Sequence, residues 1–317
     1  MTHGPPASGR FGFRSPARTY LSFCYDRYAV MMHTPIHMRE LSLSCLGPHG
    51  FHSIRYYDWG DAENPKVVIC VHGVTRNGRD FDDIARALSP DYRVLCPDVV
   101  GRGKSEWLAH KEDYGYPLYC SDMAALIARS GAQQLDWVGT SMGGLIGMFL
   151  AAQPNSPVRR LVMNDVGAFI PKASLERLSN YVGKDPRYAS FDEFEQYIRA
   201  VSAPFGPLTD AQWRHLAQTN GRQFEDGRWG PNYDPALGLA FRVAPADVVL
   251  WPFWDQVRCP TLVLRGADSD LLLAETAQDM TRRGPKAKLV EFAGIGHAPM
   301  LMAADQINAV RDFLGQG

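Results

Sequence analysis

The residues best placed to do chemistry are Ser141, His297 and a group of aspartates, and the chemistry they suit is attack on an acyl carbonyl. A serine hydroxyl is a poor nucleophile at neutral pH unless a base takes its proton, and the base works best when a carboxylate orients it. Ser141 stands in Gly139-Thr140-Ser141-Met142-Gly143-Gly144. Residues 135–138 before it form an apolar run of strand length, and residues 145–152 after it have the composition of a buried helix, ended by Pro154. A serine at a sharp strand-to-helix turn needs small neighbours, which Gly139 and Gly143 supply in the pattern G-x-S-x-G. The bend lifts the hydroxyl clear of the sheet, and the helix start aims free N–H groups at the reacting centre.

Of the nine histidines, His297 fits the base position, in Phe292-Ala293-Gly294-Ile295-Gly296-His297-Ala298-Pro299 directly after the last strand. The others lie near the amino terminus, by the first turn, before the serine or in polar surroundings; His72 reads as a structural loop histidine. The acid is open among three residues. Residues 261–265 form a strand ending in Gly266-Ala267-Asp268-Ser269-Asp270. Asp270 is preferred because it lies further past the strand end, with Asp268 close behind and Asp165, after the preceding strand, third. Each aspartate also has a plain role in tying its own loop. The oxyanion needs two backbone N–H groups. Met142 offers one and Val74, after the strand at residues 66–71, the other. Arg76 follows that loop. A solvated surface arginine is the plainer reading; the sharper one is a bidentate grip on a substrate carboxylate.

These groups need a scaffold that brings strand ends together. Residues 67–71 (Val-Val-Ile-Cys-Val) read as a strand buried on both faces. Residues 39–45 and 51–59 read as an antiparallel edge pair, and residues 93–96, 158–163, 261–265 and 288–292 as further strands. Helical patterns cover residues 82–88, 118–130 and 306–314. The alternation predicts an α/β fold, a doubly wound and mostly parallel sheet. Between Val166 and Trp254 no buried strand is evident; helices are expected at 174–182, 191–201 and 210–219, as a lid over the site. The expected organisation is an irregular extension over 1–38, a core over 39–166 and 255–317, and a helical cap over 167–254. Trp213, Phe224, Trp229, Tyr233, Trp251 and Trp254 fall in or beside that cap, where one or two could line an acyl pocket. Gly101-Arg102-Gly103-Lys104-Ser105 invites a phosphate-loop reading, which fails because the first glycine of that motif is missing and no helix starts at the lysine.

The formal net charge of −1 gives no footprint for nucleic acid or an acidic membrane. No apolar run reaches bilayer-spanning length. Cys24, Cys45, Cys70, Cys96, Cys120 and Cys259 contain no C-x-x-C pair, which favours free thiols in a reducing cytoplasm over a disulfide frame or metal site. The first thirty or so residues hold Arg10, Arg14, Arg18 and Arg27 and no acid before Asp26. A disordered tail is the preferred reading. A targeting peptide lacks its apolar core, and a translation start at Met31, Met32 or Met38 is a third reading.

Taken together, His72-Gly73, Gly139-x-Ser141-x-Gly143, Gly266…Asp270 and Gly296-His297-Ala298-Pro299 resemble the α/β-hydrolase superfamily, over about residues 39–314. The resemblance implies Ser141, Asp270 and His297 as nucleophile, acid and base, the backbones of Val74 and Met142 as oxyanion hole, and 167–254 as helical cap. Epoxide hydrolases and haloalkane dehalogenases carry an aspartate at the elbow, so Ser141 argues against both. Many members have Gly-x-x-Asp after the strand, whereas this chain has one more residue before Asp270 and an additional Asp268. The implied activity is hydrolysis of carboxylic esters of small to medium acyl substrates through an acyl-enzyme, with no metal or organic cofactor. Hydroxyalkanoate oligomers are one substrate class, motivated by Arg76. C–C bond cleavage of ring-fission products, an aminopeptidase-like activity, or a slow ligand sensor on the same fold are the competing readings. Oligomeric state is not legible.

Overall fold

The computed structural model describes residues 1–4, 38–241 and 246–316. The readings of the amino-terminal extension concern residues that, apart from 1–4 and Met38, lie outside this description, as does Cys24; residues 1–4 are irregular.

The chain enters the sheet through the antiparallel pair β1 (Met38–Gly47) and β2 (Gly50–Trp59). It continues through β3 (Val67–Val71), α1 (Asp82–Leu88), β4 (Arg93–Asp98), α2 (Tyr116–Ser130), β5 (Leu135–Thr140), α3 (Met142–Ala151) and β6 (Val158–Asn164). An inserted segment follows. It holds β7 (Phe169–Ile170), α4 (Lys172–Ser179), α5 (Phe191–Val201), α6 (Asp210–Asn220), β8 (Gly221–Gln223), β9 (Trp229–Pro231), β10 (Val248–Val249) and α7 (Trp251–Trp254). Then come β11 (Thr261–Gly266), α8 (Ala274–Met280), β12 (Lys288–Phe292) and α9 (Ala304–Leu314). The main sheet has the order β1-β2-β4-β3-β5-β6-β11-β12. It is parallel from β4 through β12, and β1 and β2 are its antiparallel edge.

Burial on both faces explains the unbroken apolar strands. Along a strand, successive side chains face opposite sides. Ile69 and Trp137 accordingly join one core layer with Met123, Leu126, Leu145 and Met148 of α2 and α3. Their neighbours Val68 and Val138 join the other, with Ile84 and Leu88 of α1 and Val310 and Phe313 of α9. The sheet order places the carboxyl ends of β3, β5, β6, β11 and β12 side by side, and that is where loops can meet.

The inserted segment has a small core of its own: Phe194, Ile198, Trp213 and Leu216 pack with Met300 and Met302 from the loop after His297. Two minor ladders, β7 with β10 and β8 with β9, lie within it, too short to show in the sequence pattern. α8 was likewise not legible, since its seven residues bury few side chains. A capping box starts α6, where Thr209 Oγ1 accepts from Gln212 N at 3.2 Å and Gln212 Oε1 accepts from Thr209 N at 2.9 Å.

This segment is bonded to the core at the loop rejected as a phosphate cradle. Gly103 N donates to Asn232 O at 2.9 Å and Asp234 N to Gly101 O at 2.8 Å. Asn77 Nδ2 adds bonds to Thr219 O (2.9 Å) and Asn220 Oδ1 (3.0 Å). The two glycines are steric requirements: both have positive φ, and a Cβ at 101 would lie 2.7 Å from Tyr114, one at 103 only 2.3 Å from Asp98 Oδ2.

Candidate active site

Ser141 sits at the β5–α3 junction with φ +53° and ψ −116°, outside the comfortable regions for a side chain with a Cβ. The junction holds it there by close packing. A Cβ on Gly143 would lie 1.9 Å from Val71 O, and one on Gly139 2.2 Å from Gly143 O. Ser141 N donates to Asn164 O at 2.9 Å, and Trp137 Nε1 donates to Gly143 O at 3.0 Å. Met142 is the first residue of α3, so its N–H has no acceptor within the helix.

His297 follows β12 and meets the serine across the site, its Nε2 3.0 Å from Ser141 Oγ. Its Nδ1 lies 2.8 Å from Asp165 Oδ2. Asp165 is fully buried, just past β6, with φ +55°. With Nδ1 donating to the carboxylate, Nε2 is left as the acceptor for the serine hydroxyl.

Here the structure corrects the preferred acid. Asp270 turns outward into a bidentate pair with Arg177, at 2.5 and 2.8 Å, with its side chain half exposed. Asp268 is exposed as well. The 266–270 loop instead supports the carboxylate on the neighbouring strand: Gly266 N donates to Asp165 Oδ1 at 2.8 Å and Ser269 Oγ to Asp165 Oδ2 at 2.6 Å. Ser269 Oγ in turn accepts from Leu271 N and Leu272 N, at 3.3 and 3.1 Å. The extra residue before Asp270 thus belongs to a serine-centred turn that carries the aspartate past the site. Asn164, beside Asp165, joins both partner loops: its Nδ2 donates to Thr140 Oγ1 (3.0 Å) and Pro299 O (2.7 Å).

Two cavities open on Ser141, and both also touch Val74 and Leu178. The smaller, about 80 Å³, is walled by Arg76, Tyr181, Tyr197, Phe205, Tyr233 and His297. The larger, about 310 Å³, is walled chiefly by Met142, Leu145, Val166, Leu175, Leu237 and Phe241. Of the aromatic residues expected to line a pocket, only Tyr233 does so. Trp213 and Trp254 are core, with Trp254 Nε1 donating to Arg283 O at 3.0 Å, and Trp229 stacks edge-on with Phe191. Tyrosines 181 and 197, unremarked in the sequence, take the wall positions.

Arg76 reaches the smaller cavity, but Asp80 takes its Nε at 2.6 Å and a terminal nitrogen at 2.8 Å. The i,i+4 spacing of an arginine and an aspartate was the signal for that pair. Asp80 Oδ1 also accepts from Asn220 Nδ2 at 2.9 Å, so the guanidinium is neutralised within a closed network.

His72 is structural. It is fully buried; Nδ1 bonds Gly73 O at 2.7 Å and Nε2 accepts from Val99 N at 2.9 Å. Burial lowers its pKa to about 3. Below pH 6.5 an unfolded chain takes up a proton that the folded one refuses until about pH 3, so this histidine makes stability fall with falling pH across that window. Buried Asp98, raised to about 6 by desolvation, works in the opposite sense between its ordinary value of 3.8 and 6. The wild-type curve therefore mixes the two, and a variant isolates one. In His72→Gln that one-proton slope is absent, so the difference in urea-unfolding stability between wild type and variant is expected to change by about 1.4 kcal/mol per pH unit, wild type losing stability relative to the variant as pH falls through the window. A pH-independent difference from 3 to 6.5 would refute it.

Among the described residues, one group could offer three metal ligands: Cys45, His52 and Asp122, all buried, with ligand atoms within 4.8 Å of one another. His52 Nε2 lies 3.0 Å from both Asp122 oxygens and the Cys45 thiol bonds the same carboxylate, which closes the group as a hydrogen-bond network. Cys45, Cys70, Cys96, Cys120 and Cys259 are free thiols. No described helix is long and apolar enough to cross a membrane.

The family described as the α/β hydrolase fold matches residues 66–304. A 3-hydroxybutyrate-oligomer hydrolase of Cupriavidus necator is 47% identical over 280 residues, covering 86% of this chain and 96% of that protein. Lipase LipV of Mycobacterium tuberculosis is 28% identical and covers 79% of this chain and 94% of its own. Among solved structures, an α/β hydrolase from Novosphingobium aromaticivorans superposes with a TM-score of 0.78 at 33% identity, covering 88% of this chain and 99% of that one. The chain is a hydrolase and belongs to the α/β-hydrolase superfamily.

Proposed function

We propose that this chain is a serine esterase acting on short 3-hydroxyacyl esters, with 3-hydroxybutyrate oligomers as its substrate class. The observation that carries the chemistry is the hydrogen-bonded series Ser141–His297–Asp165 beneath the inserted segment, which serves as a cap. His297 takes the proton of Ser141 as the hydroxyl attacks the ester carbonyl; Asp165 holds the tautomer and stabilises the imidazolium that forms. The oxyanion rests on the N–H groups of Val74 and Met142. The alcohol leaves with the proton from His297, and water, activated by the same imidazole, releases the acid from Ser141. The substrate class is supported by the likeness to the Cupriavidus necator enzyme and by the paired cavities at Ser141, which give each side of a scissile ester its own chamber.

Release of 3-hydroxybutyrate from its linear dimer and trimer, followed alongside hydrolysis of p-nitrophenyl acetate, butyrate and octanoate, tests both levels. The reading predicts turnover of dimer and trimer and stoichiometric labelling of Ser141 by a fluorophosphonate, located by peptide mass. Hydrolysis of the p-nitrophenyl esters alone would overturn the substrate class and leave the chemistry. No acylation of folded protein would overturn both.

A further inference from the structure

Arg102 is the exception among the charged groups around Ser141. Its side chain is 1% exposed, yet no carboxylate lies within 4.0 Å of its guanidinium among the described residues. Its partners are neutral. Nε donates to Val74 O at 2.9 Å, one terminal nitrogen to Val100 O at 2.7 Å, and the other to Met142 Sδ at 3.3 Å; the Tyr119 ring lies 4.8 Å below. Each terminal nitrogen keeps a second N–H with no protein acceptor among the described residues. By contrast Arg76, Arg93 and Arg265, all poorly exposed, each have a carboxylate.

A buried cation without a counter-ion is costly to the folded state. Arg102 also lines the larger cavity, where it bonds both Val74 and Met142. The remaining cations of that wall and its vicinity are spoken for: Lys111 is held by Asp234, which also accepts from Tyr114 Oη at 2.8 Å. Glu112 also lines that cavity, with its side chain largely exposed and 3.3 Å from His110 Nδ1. The walls are otherwise chiefly apolar, so a carboxylate entering there meets one buried charge without a counter-ion, that of Arg102.

We propose that Arg102 is the carboxylate-recognition residue of the larger cavity, and that the ligand class is an ester whose alcohol half ends in a free carboxylate. In a hydroxyacid dimer the free carboxylate belongs to the leaving alcohol. The proposal therefore orients the substrate, with the leaving 3-hydroxy acid in the larger chamber and the acyl half in the smaller. It rests on the serine-esterase reading above. Arginine suits the role because its planar fork meets a carboxylate with parallel hydrogen bonds.

The test compares the linear 3-hydroxybutyrate dimer with its methyl ester, which removes the charge and keeps the scissile bond. Wild type is expected to favour the free acid by more than tenfold in kcat/KM; a ratio near one overturns the proposal. In Arg102→Gln that ratio is expected to collapse at least tenfold, and Arg102→Lys to keep part of it. If both substrates lose activity equally, Arg102 only positions Val74 and Met142, and the proposal fails. Should the variants not fold, inhibition of wild-type p-nitrophenyl butyrate hydrolysis still decides. Free 3-hydroxybutyrate must inhibit at least tenfold more tightly than methyl 3-hydroxybutyrate, and equal inhibition refutes the site. If the dimer is not hydrolysed at all, the oligomer reading fails separately while this inhibition comparison stands.

Discussion

Asp165→Asn is expected to lower kcat by about 10⁴-fold, the size of effect seen when the orienting carboxylate of a Ser-His-Asp triad becomes an amide. An asparagine at 165 can present its NH₂ to His297 Nδ1. That ring then carries its proton on Nε2, facing Ser141 Oγ, and cannot accept from the hydroxyl. The amide also faces two donors, Gly266 N and Ser269 Oγ, so the loop loses a matched acceptor. Asp270→Asn, which loosens a half-exposed pair with Arg177, is expected to leave kcat within about threefold, since such pairs are worth little. Steady-state kinetics on p-nitrophenyl butyrate checks both, with Ser141→Ala setting the floor. A large loss in Asp270→Asn with activity intact in Asp165→Asn would return the acid to the 266–270 loop.

Gly143→Ala should prevent formation of a stable native protein. The new methyl group would stand 1.9 Å from Val71 O and 2.4 Å from Val71 C, both backbone atoms in a fully buried strand end. Neither can rotate away, so the elbow or β3 must shift, at a cost of about 3 kcal/mol or more. Gly115→Ala is the matched control. Its backbone is extended, and the nearest atom to a new Cβ, Pro117 Cδ, is 3.6 Å away. A change within about 1 kcal/mol is expected there. Soluble yield and urea unfolding of the two variants provide the check, and a Gly143→Ala protein as stable as wild type would mean the elbow has room it does not show.

Local pattern carried the elbow, the buried strands and the base, because each has a signature within about ten residues. Glycines flank Ser141 where backbone meets backbone, and the Val-Val-Ile-Cys-Val run has no polar face because helices cover both sides of β3. The acid carries no such signature. Asp165 and Asp270 both follow a strand, and what separates them is a serine at 269 that binds Asp165 across the sheet. The same holds for the two arginines. Arg76 has its counter-ion four residues on, a pairing that neither the surface nor the substrate reading of that arginine took up, whereas Arg102 shows its lack of one only when the chain is folded. The cap helices were legible from their periodicity; the tyrosine walls were not, since the same rings could equally well have packed inward.

The triad closes over long stretches of chain: 132 residues separate His297 from Asp165, and 156 separate it from Ser141. The whole inserted segment lies within the first of these spans. Contacts so distant in sequence must await loop closure, and they form late in proteins of this topology. The elbow and its helix are local and can assemble early. Recovery of activity in refolding is therefore expected to trail the docking of β11 onto β6 and of β12 onto β11.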